Sequence, residues 1–171
     1  DPQKLEALIT PKTKAIIPVH IYGQCAEMDK INAIAKKHNI LVIDDCAHSP
    51  GGEFKGSKVG SLANLSVFSF HQQKNMSTLG EGGMVTTNNH ELYESVLSYR
   101  SLCCRVYGNS AKYLTIDENE KPMGKKYWHL DFDHIGYNFR MTDAQACVGI
   151  EQLKKLEKNN ARRRELAYML N

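Results

Sequence analysis

The sequence predicts an α/β fold with a mostly parallel sheet. A strand–helix–strand succession, a long closing helix, and polar residues set just past the strand ends carry that prediction. "AIIPVHIYG" (15–23) is apolar and β-branched and reads as a buried strand ending in a loop at Gly23. Pro18 is awkward inside it, because proline donates nothing to a ladder and prefers edges. "AEMDKINAIAKKHN" follows and sets Met28, Ile31, Ile34 and Ala35 on one helical stripe with charges opposite. "ILVIDD" (40–45) is a short continuous apolar run, the pattern of a strand buried on both faces. Strand, helix and strand with short links make a right-handed βαβ unit.

"LSVFSF" (65–70) and "GGMVTT" (82–87) are two further strands, and "HELYESVLSYRSL" after them reads as a helix. The stretch from about 102 to 130 has no clean period and collects Gly, Pro, Asn and charges, so it reads as a long functional loop. "MTDAQACVGIEQLKKLEKNNARRRELAYML" is a long helix that opens on a capping box, Thr142 with Gln145. Ala144, Cys147, Val148 and either Leu153 or Leu156 are expected to face the core. No internal repeat or linker interrupts the chain. It opens without a Met and stops inside a helical pattern, so it reads as a segment of a longer protein.

With 171 residues, 42% apolar and 24% charged, the chain can bury a core. A net charge of +3 lacks the clustered basic footprint of nucleic-acid binding. No run of about 18 uncharged apolar residues is present to span a bilayer. Five cysteines, with no C-x-x-C pair, make neither a disulfide framework nor a zinc signature, and a reducing cytoplasm is the expected compartment.

In open α/β sheets ligands gather beyond the carboxyl ends of the strands. That rule selects Asp44, Asp45, His48 and the segment Ser69–Lys74. Lys74, in "SFHQQKNMSTLGEGGM", could be a surface charge, a phosphate clamp or an amine for covalent chemistry. It is no P-loop lysine, since the glycines follow it. An amine for covalent chemistry needs a site that lowers its pKa, which a strand-end rim can supply. Asp45 could cap a turn or sit opposite a pyridinium nitrogen, and Asp44 could hold the same role from the opposite face of the strand. Ser69 beside a glycine-rich turn suits a phosphate. Gly80, Gly82 and Gly83 read as turn and close-packing glycines. Asp45-x-x-His48 is weak as a metal pair, and His20 and His71 fall in no zinc pattern.

Together, "IPVHIYGQCAEMDKI", "DDCAHSPGGEFKGSKVGSLANLSVFSFHQQKNMSTLGEGGMVTTN" and "IGYNFRMTDAQACVGIEQLKKLEKNNARRRE" resemble the DegT/DnrJ/EryC-type sugar aminotransferases. "KKYWHLDFDHIGYNFRMT" is similar to perosamine-synthetase-like members. The resemblance runs over nearly the whole chain, in family order, interrupted at 102–130. It implies the aspartate-aminotransferase type of fold (fold type I), with residues 1–171 a segment of the cofactor-binding large domain, and pyridoxal 5'-phosphate as cofactor. It implies Lys74 as the amine that condenses with the cofactor and later moves a proton. It implies Asp45 against the pyridine nitrogen, His48 near the 3-hydroxyl, and Ser69 at the phosphate. Asn138 would reach the phosphate from a second subunit, in a homodimer with shared sites. Substrates implied are a nucleotide-linked keto-deoxysugar and glutamate as amino donor. A sub-branch that dehydrates carries histidine in place of the lysine, whereas "HQQKN" keeps it. Two family features have no counterpart here: the N-terminal portion, with its Gly-Thr turn and ring-stacking aromatic residue, and the small C-terminal domain. A non-catalytic sensing or regulatory role on the same fold, or an inactive fragment, is the alternative. A nucleotide-binding module using "TLGEGGM" is disfavoured, because no G-x-G-x-x-G follows the first strand.

Overall fold

The computed structural model describes residues 1–105, 131–132 and 134–170. Their contacts divide into one unit of Asp1–Asn88 with Met141–Asn171 and a second of Asn89–Arg140.

The first unit is built on a four-stranded sheet. Its strands are β1 (Ala15–Ile16), β2 (Leu41–Asp45), β5 (Leu65–Ser69) and β6 (Gly83–Thr86), adjacent in that order. The β1–β2 and β2–β5 pairings are parallel and β5–β6 is antiparallel, as the α/β expectation requires. The first strand is shorter than 15–23. Pro18 has no N–H to offer, so the ladder breaks there. The chain still runs beside β2: the Pro18 carbonyl accepts the Asp45 N–H at 2.8 Å, and a parallel bridge joins Val19 to Asp45. A tight hairpin unforeseen in the sequence, β3 (Glu53–Phe54) with β4 (Ser57–Lys58), turns through Lys55 and Gly56, both at positive φ.

A short helix, α1 (Pro2–Leu5), precedes β1, and α2 (Met28–His38) links β1 to β2. Helix α2 buries Met28, Ile31 and Ala35 against Ile16 and Val42, leaves Ile34 half-buried, and ends on left-handed Asn39. Helix α4 (Asp143–Leu170) opens on the expected capping box. Thr142 Oγ1 accepts the Gln145 N–H at 3.3 Å, and Gln145 Oε1 accepts the Thr142 N–H at 3.0 Å. The core face of α4 matches the expected one at Leu156 and departs from it at Ala144 and Cys147. Gly149, Leu156 and Asn160 are buried and Val148 is half-buried, whereas Ala144, Cys147 and Leu153 are exposed. A glycine lets the helix approach its neighbour closely, and that contact rotates the buried stripe away from Ala144 and Cys147. Leu156 packs on Phe70 and Met76.

The second unit holds α3 (His90–Arg100), capped by Asn89, and an antiparallel pair of β7 (Cys104–Arg105) with β8 (Asp131–Phe132). Of the expected 102–130 loop, Leu102–Arg105 belong to a turn and β7; residues 106–130, with Tyr127, Trp128 and His129, lie outside the described residues. Among the described residues, no helix is long and apolar enough to cross a membrane.

Candidate active site

Strand β2 resolves the choice between its two acids geometrically. Successive side chains of a strand point to opposite faces. Val42 and Asp44 are buried on the face that α2 covers, while Ile43 and Asp45 lie on the other. In register, Asp44 stands beside Ser66 and then Thr86, whereas Asp45 stands beside Val67 and then Val85. Val67 and Val85 are 40% and 41% exposed, so Asp45 shares the open face. Asp44 is fully buried, with Oδ2 3.1 Å from Nε2 of an equally buried His20. Asp45 is half-buried; its Oδ1 accepts the Ala47 N–H at 2.9 Å, which turns the carboxylate toward the strand end.

Ser69 closes β5, the parallel neighbour of β2, so it shares the carboxyl edge with Asp45. Its Oγ accepts the His71 N–H at 3.4 Å, which leaves the hydroxyl proton for another acceptor. Beyond Ser69 the chain folds back on itself. Phe70 N–H donates to Gly82 O at 2.8 Å and Gln72 N–H to Gly80 O at 2.9 Å. Lys74 sits at the tip of this closed loop, its N–H donating to His71 O at 2.9 Å. Gly82 is required by close approach: a Cβ there would lie 2.0 Å from Thr78 Oγ1. Lys74 is half-buried, and among the described residues neither it nor Asp45 forms an ion pair.

His48, two residues past Cys46 in the turn after β2, stacks on Tyr22 with ring centroids 5.5 Å apart and an interplanar angle of 17°. Asp45 and Ser69 thus end neighbouring parallel strands, with His48 and Lys74 in the segments that follow them. Asn138 belongs to the second unit, exposed and bridged to Ser101. Tyr22 was not foreseen. It is 89% exposed and holds a left-handed φ of 51°, a conformation that costs a non-glycine residue about 1 kcal/mol. The "YG" pair that ends the first strand was its only sequence signal.

His20, Asp44 and Cys46 place possible metal donors within 4.8 Å of one another. The protons argue against a metal. Ala26 N–H donates to His20 Nδ1 at 3.2 Å, so the ring proton resides on Nε2, which faces Asp44 and has no lone pair to offer. Burial, followed by the neighbouring Asp44, pushes the Cys46 thiol up to about 12, away from the thiolate a metal needs. An apolar cleft of ≈ 470 Å³ lies between the sheet and α4, on the face that Phe68 shares with Ser66 and Asp44 and away from Asp45, lined by Phe68, Phe70, Met76, Met84 and Leu156. It contains none of the four strand-end residues and few polar groups to fix a phosphorylated ligand.

The model of the DegT/DnrJ/EryC1/StrS aminotransferase family matches residues 1–171. The GDP-perosamine synthase of Caulobacter vibrioides is 41% identical over 163 residues, covering 95% of this chain and 38% of the relative. A pleiotropic regulatory protein of Geobacillus stearothermophilus is 38% identical over 167 residues, covering 98% of this chain and 39% of that protein. The X-ray structure of an aminotransferase from Psychrobacter cryohalolentis superposes with a TM-score of 0.75 at 40% identity, over 90% of this chain and 36% of that one. The chain thus spans about two fifths of the length of its curated relatives. The fold is that of the fold-type I aminotransferases, and the chain belongs to the DegT/DnrJ/EryC1/StrS aminotransferase family.

Proposed function

We propose that the protein carrying this chain transfers an amino group to a nucleotide-linked keto-deoxysugar, with pyridoxal 5'-phosphate as cofactor and glutamate as donor, and that residues 1–171 belong to its cofactor-binding domain. One observation carries the reading. A half-buried carboxylate at Asp45 ends β2, and a half-buried amine at Lys74 lies in the loop that follows its parallel neighbour β5, neither in an ion pair among the described residues. An acid and an amine after adjacent strand ends suit a cationic, phosphorylated ring. When bound, pyridoxal phosphate supplies an aldehyde that takes up an amine and a ring that accepts the electrons left when a proton departs.

The chain's residues would serve that chemistry as follows. Lys74 Nζ would hold the cofactor and, when free of it, would carry a proton. Asp45, its carboxylate oriented by Ala47 N–H, would pair with the ring nitrogen. Ser69 Oγ, already accepting from His71 N–H, directs its own proton to a phosphate oxygen. His48, steadied by Tyr22, lies beside the 3-hydroxyl. Asn138 would act in a second copy, across a homodimer. All five cysteines are free, in keeping with the cytoplasm.

The test is spectroscopic. The full-length protein should bind pyridoxal phosphate with a visible, borohydride-fixable absorbance band that Lys74→Ala abolishes. A Lys74→Ala protein that keeps the fixable band refutes the reading. A regulatory role is the second reading, favoured by the relative named as a pleiotropic regulatory protein. A glutamate half-reaction separates the two, because a regulator leaves glutamate unconverted.

A further inference from the structure

We propose that His20 is a positioning residue for Asp45 and His48, acting as a neutral imidazole with its proton on Nε2 and Asp44 as its buried anchor. The proposal rests on the reading above, that Asp45 and His48 face the cofactor.

His20 lies outside the set of residues expected to touch the cofactor, yet it ties the end of β2 to the turn ahead of α2. Its side chain spans both. Nε2 donates to Asp44 Oδ2 at 3.1 Å, at the end of β2, and Nδ1 accepts from Ala26 N–H at 3.2 Å, just ahead of α2. Its main chain holds the end of β2 a second time, since His20 N–H donates to the Asp45 carbonyl at 3.0 Å, while Asp45 N–H donates to Pro18 O at 2.8 Å. Asp45 is therefore clamped from both of its peptide groups by the segment that His20 anchors.

The turn Ile21–Gly23 continues from that anchor and carries Tyr22, whose ring backs His48. Tyr22 is almost fully exposed and in a left-handed conformation, so nothing in its own burial holds it there. Its N–H donates to His48 Nδ1 at 3.5 Å, and the Gly23 N–H ties the turn to the His20 carbonyl at 3.3 Å. A fully buried His20 fixes where the turn begins, and with it the position of the Tyr22 ring.

Asp44 shows how much depends on the imidazole. Its Oδ1 is buried without a hydrogen-bond partner, and His20 is the strong donor to the carboxylate, with the protonated Cys46 thiol a weaker one. Removing the imidazole leaves a buried acid with the thiol alone, and a buried acid so poorly satisfied draws water or moves. Either response shifts the end of β2, and Asp45 is the next residue along.

The variants His20→Phe and His20→Gln decide the matter in the full-length protein. Phenylalanine keeps the ring volume and removes both hydrogen bonds; the glutamine amide offers an N–H to Asp44 and a carbonyl to Ala26. In the protein without cofactor, His20→Phe should speed hydrogen exchange at the Ala26 and Asp45 amides about tenfold, and His20→Gln should restore much of the protection. With cofactor, folded His20→Phe should bind pyridoxal phosphate about tenfold more weakly, the scale of a small misplacement of a binding group. The pH midpoint of its absorbance band should move as well. A role in stability alone would lower the melting temperature and leave that midpoint where it is.

Folded His20→Phe with wild-type affinity, midpoint and exchange overturns the proposal. So does a nitrogen spectrum of the wild-type ring with the proton on Nδ1, a measurement that needs no variant to fold. If the wild-type protein forms no Lys74-dependent band, the functional reading falls. A normal wild-type band with an unaltered variant sinks only the role of His20.

Discussion

Replacing Gly149 by alanine sets two effects of similar size against each other, and the structure says which wins. Alanine in a helix interior is favoured over glycine by about 1 kcal/mol. The added Cβ, however, would lie 2.9 Å from Thr78 Cγ2, closer than side-chain carbons tolerate. Thr78 is poorly placed to yield. It is fully buried, its hydroxyl donates to Glu81 O at 2.9 Å, and its N–H donates to Phe70 O at 3.2 Å. Its β-branched χ1 is stiff as well. Overpacking at such a site costs about 2 kcal/mol, so Gly149→Ala should destabilise by about 1 kcal/mol net. Thr78→Ser removes the obstructing methyl and keeps the hydroxyl, at a cost of about 1 kcal/mol. In that background Gly149→Ala should become stabilising by about 1 kcal/mol, a coupling near 2 kcal/mol between the sites. Urea unfolding of the four proteins measures it. A stabilising Gly149→Ala beside the native Thr78, or the same change in both backgrounds, refutes the reasoning. Thr78 lies four residues past Lys74, so the same cycle reports how α4 docks against the loop that presents the amine.

Other expectations concern α4 and a buried thiol. Leu156→Ala should cost about 2–4 kcal/mol in denaturant unfolding, because Leu156 packs on Phe70 and Met76. Leu153→Ala, at a position 60% exposed, should change stability by less than about 0.5 kcal/mol. Thr142→Ala breaks the capping box and should cost about 1 kcal/mol by the same assay. Folding raises the Cys46 pKa from 9.0 to about 12, so it favours the protonated thiol. The stability this contributes is whole below pH 9 and is lost as pH climbs through the interval from 9 to about 12. Unfolding curves for wild type and Cys46→Ala should therefore converge in that interval; curves that stay parallel refute the assignment.

Much of the sheet was legible because its strands are short apolar runs bounded by turn residues, and β2, β5 and β6 fall within one residue of their expected ends. The first strand was misjudged in length, although Pro18 carried the reason in plain view. The β3–β4 hairpin hides in "EFKGSK", where only the Lys-Gly pair signals a turn and no apolar alternation marks the strands. The buried stripe of α4 was misplaced at Ala144 and Cys147 because periodicity gives a spacing and not a phase. Gly149 and Asn160, which set the phase, are not apolar side chains at all. Of the proposed site, Lys74, Asp45, His48 and Ser69 stand after strand ends, where their sequence position puts them. His20 was dismissed, since its partner stands 24 positions away and only the sheet brings them together.

The alternation that parts Asp44 from Asp45 makes the site sensitive to counting. Two identical carboxyl groups, one peptide apart, are sorted by the pleat alone: one is locked against an imidazole in the dry interior, and the other stands on the open face, where the proposed ligand would meet it. Slipping β2 by a single residue against its neighbours would exchange them, delivering the acid to the core and the core's acid to the ligand. Length changes on either side of this strand are for that reason harsher than any conservative substitution within it.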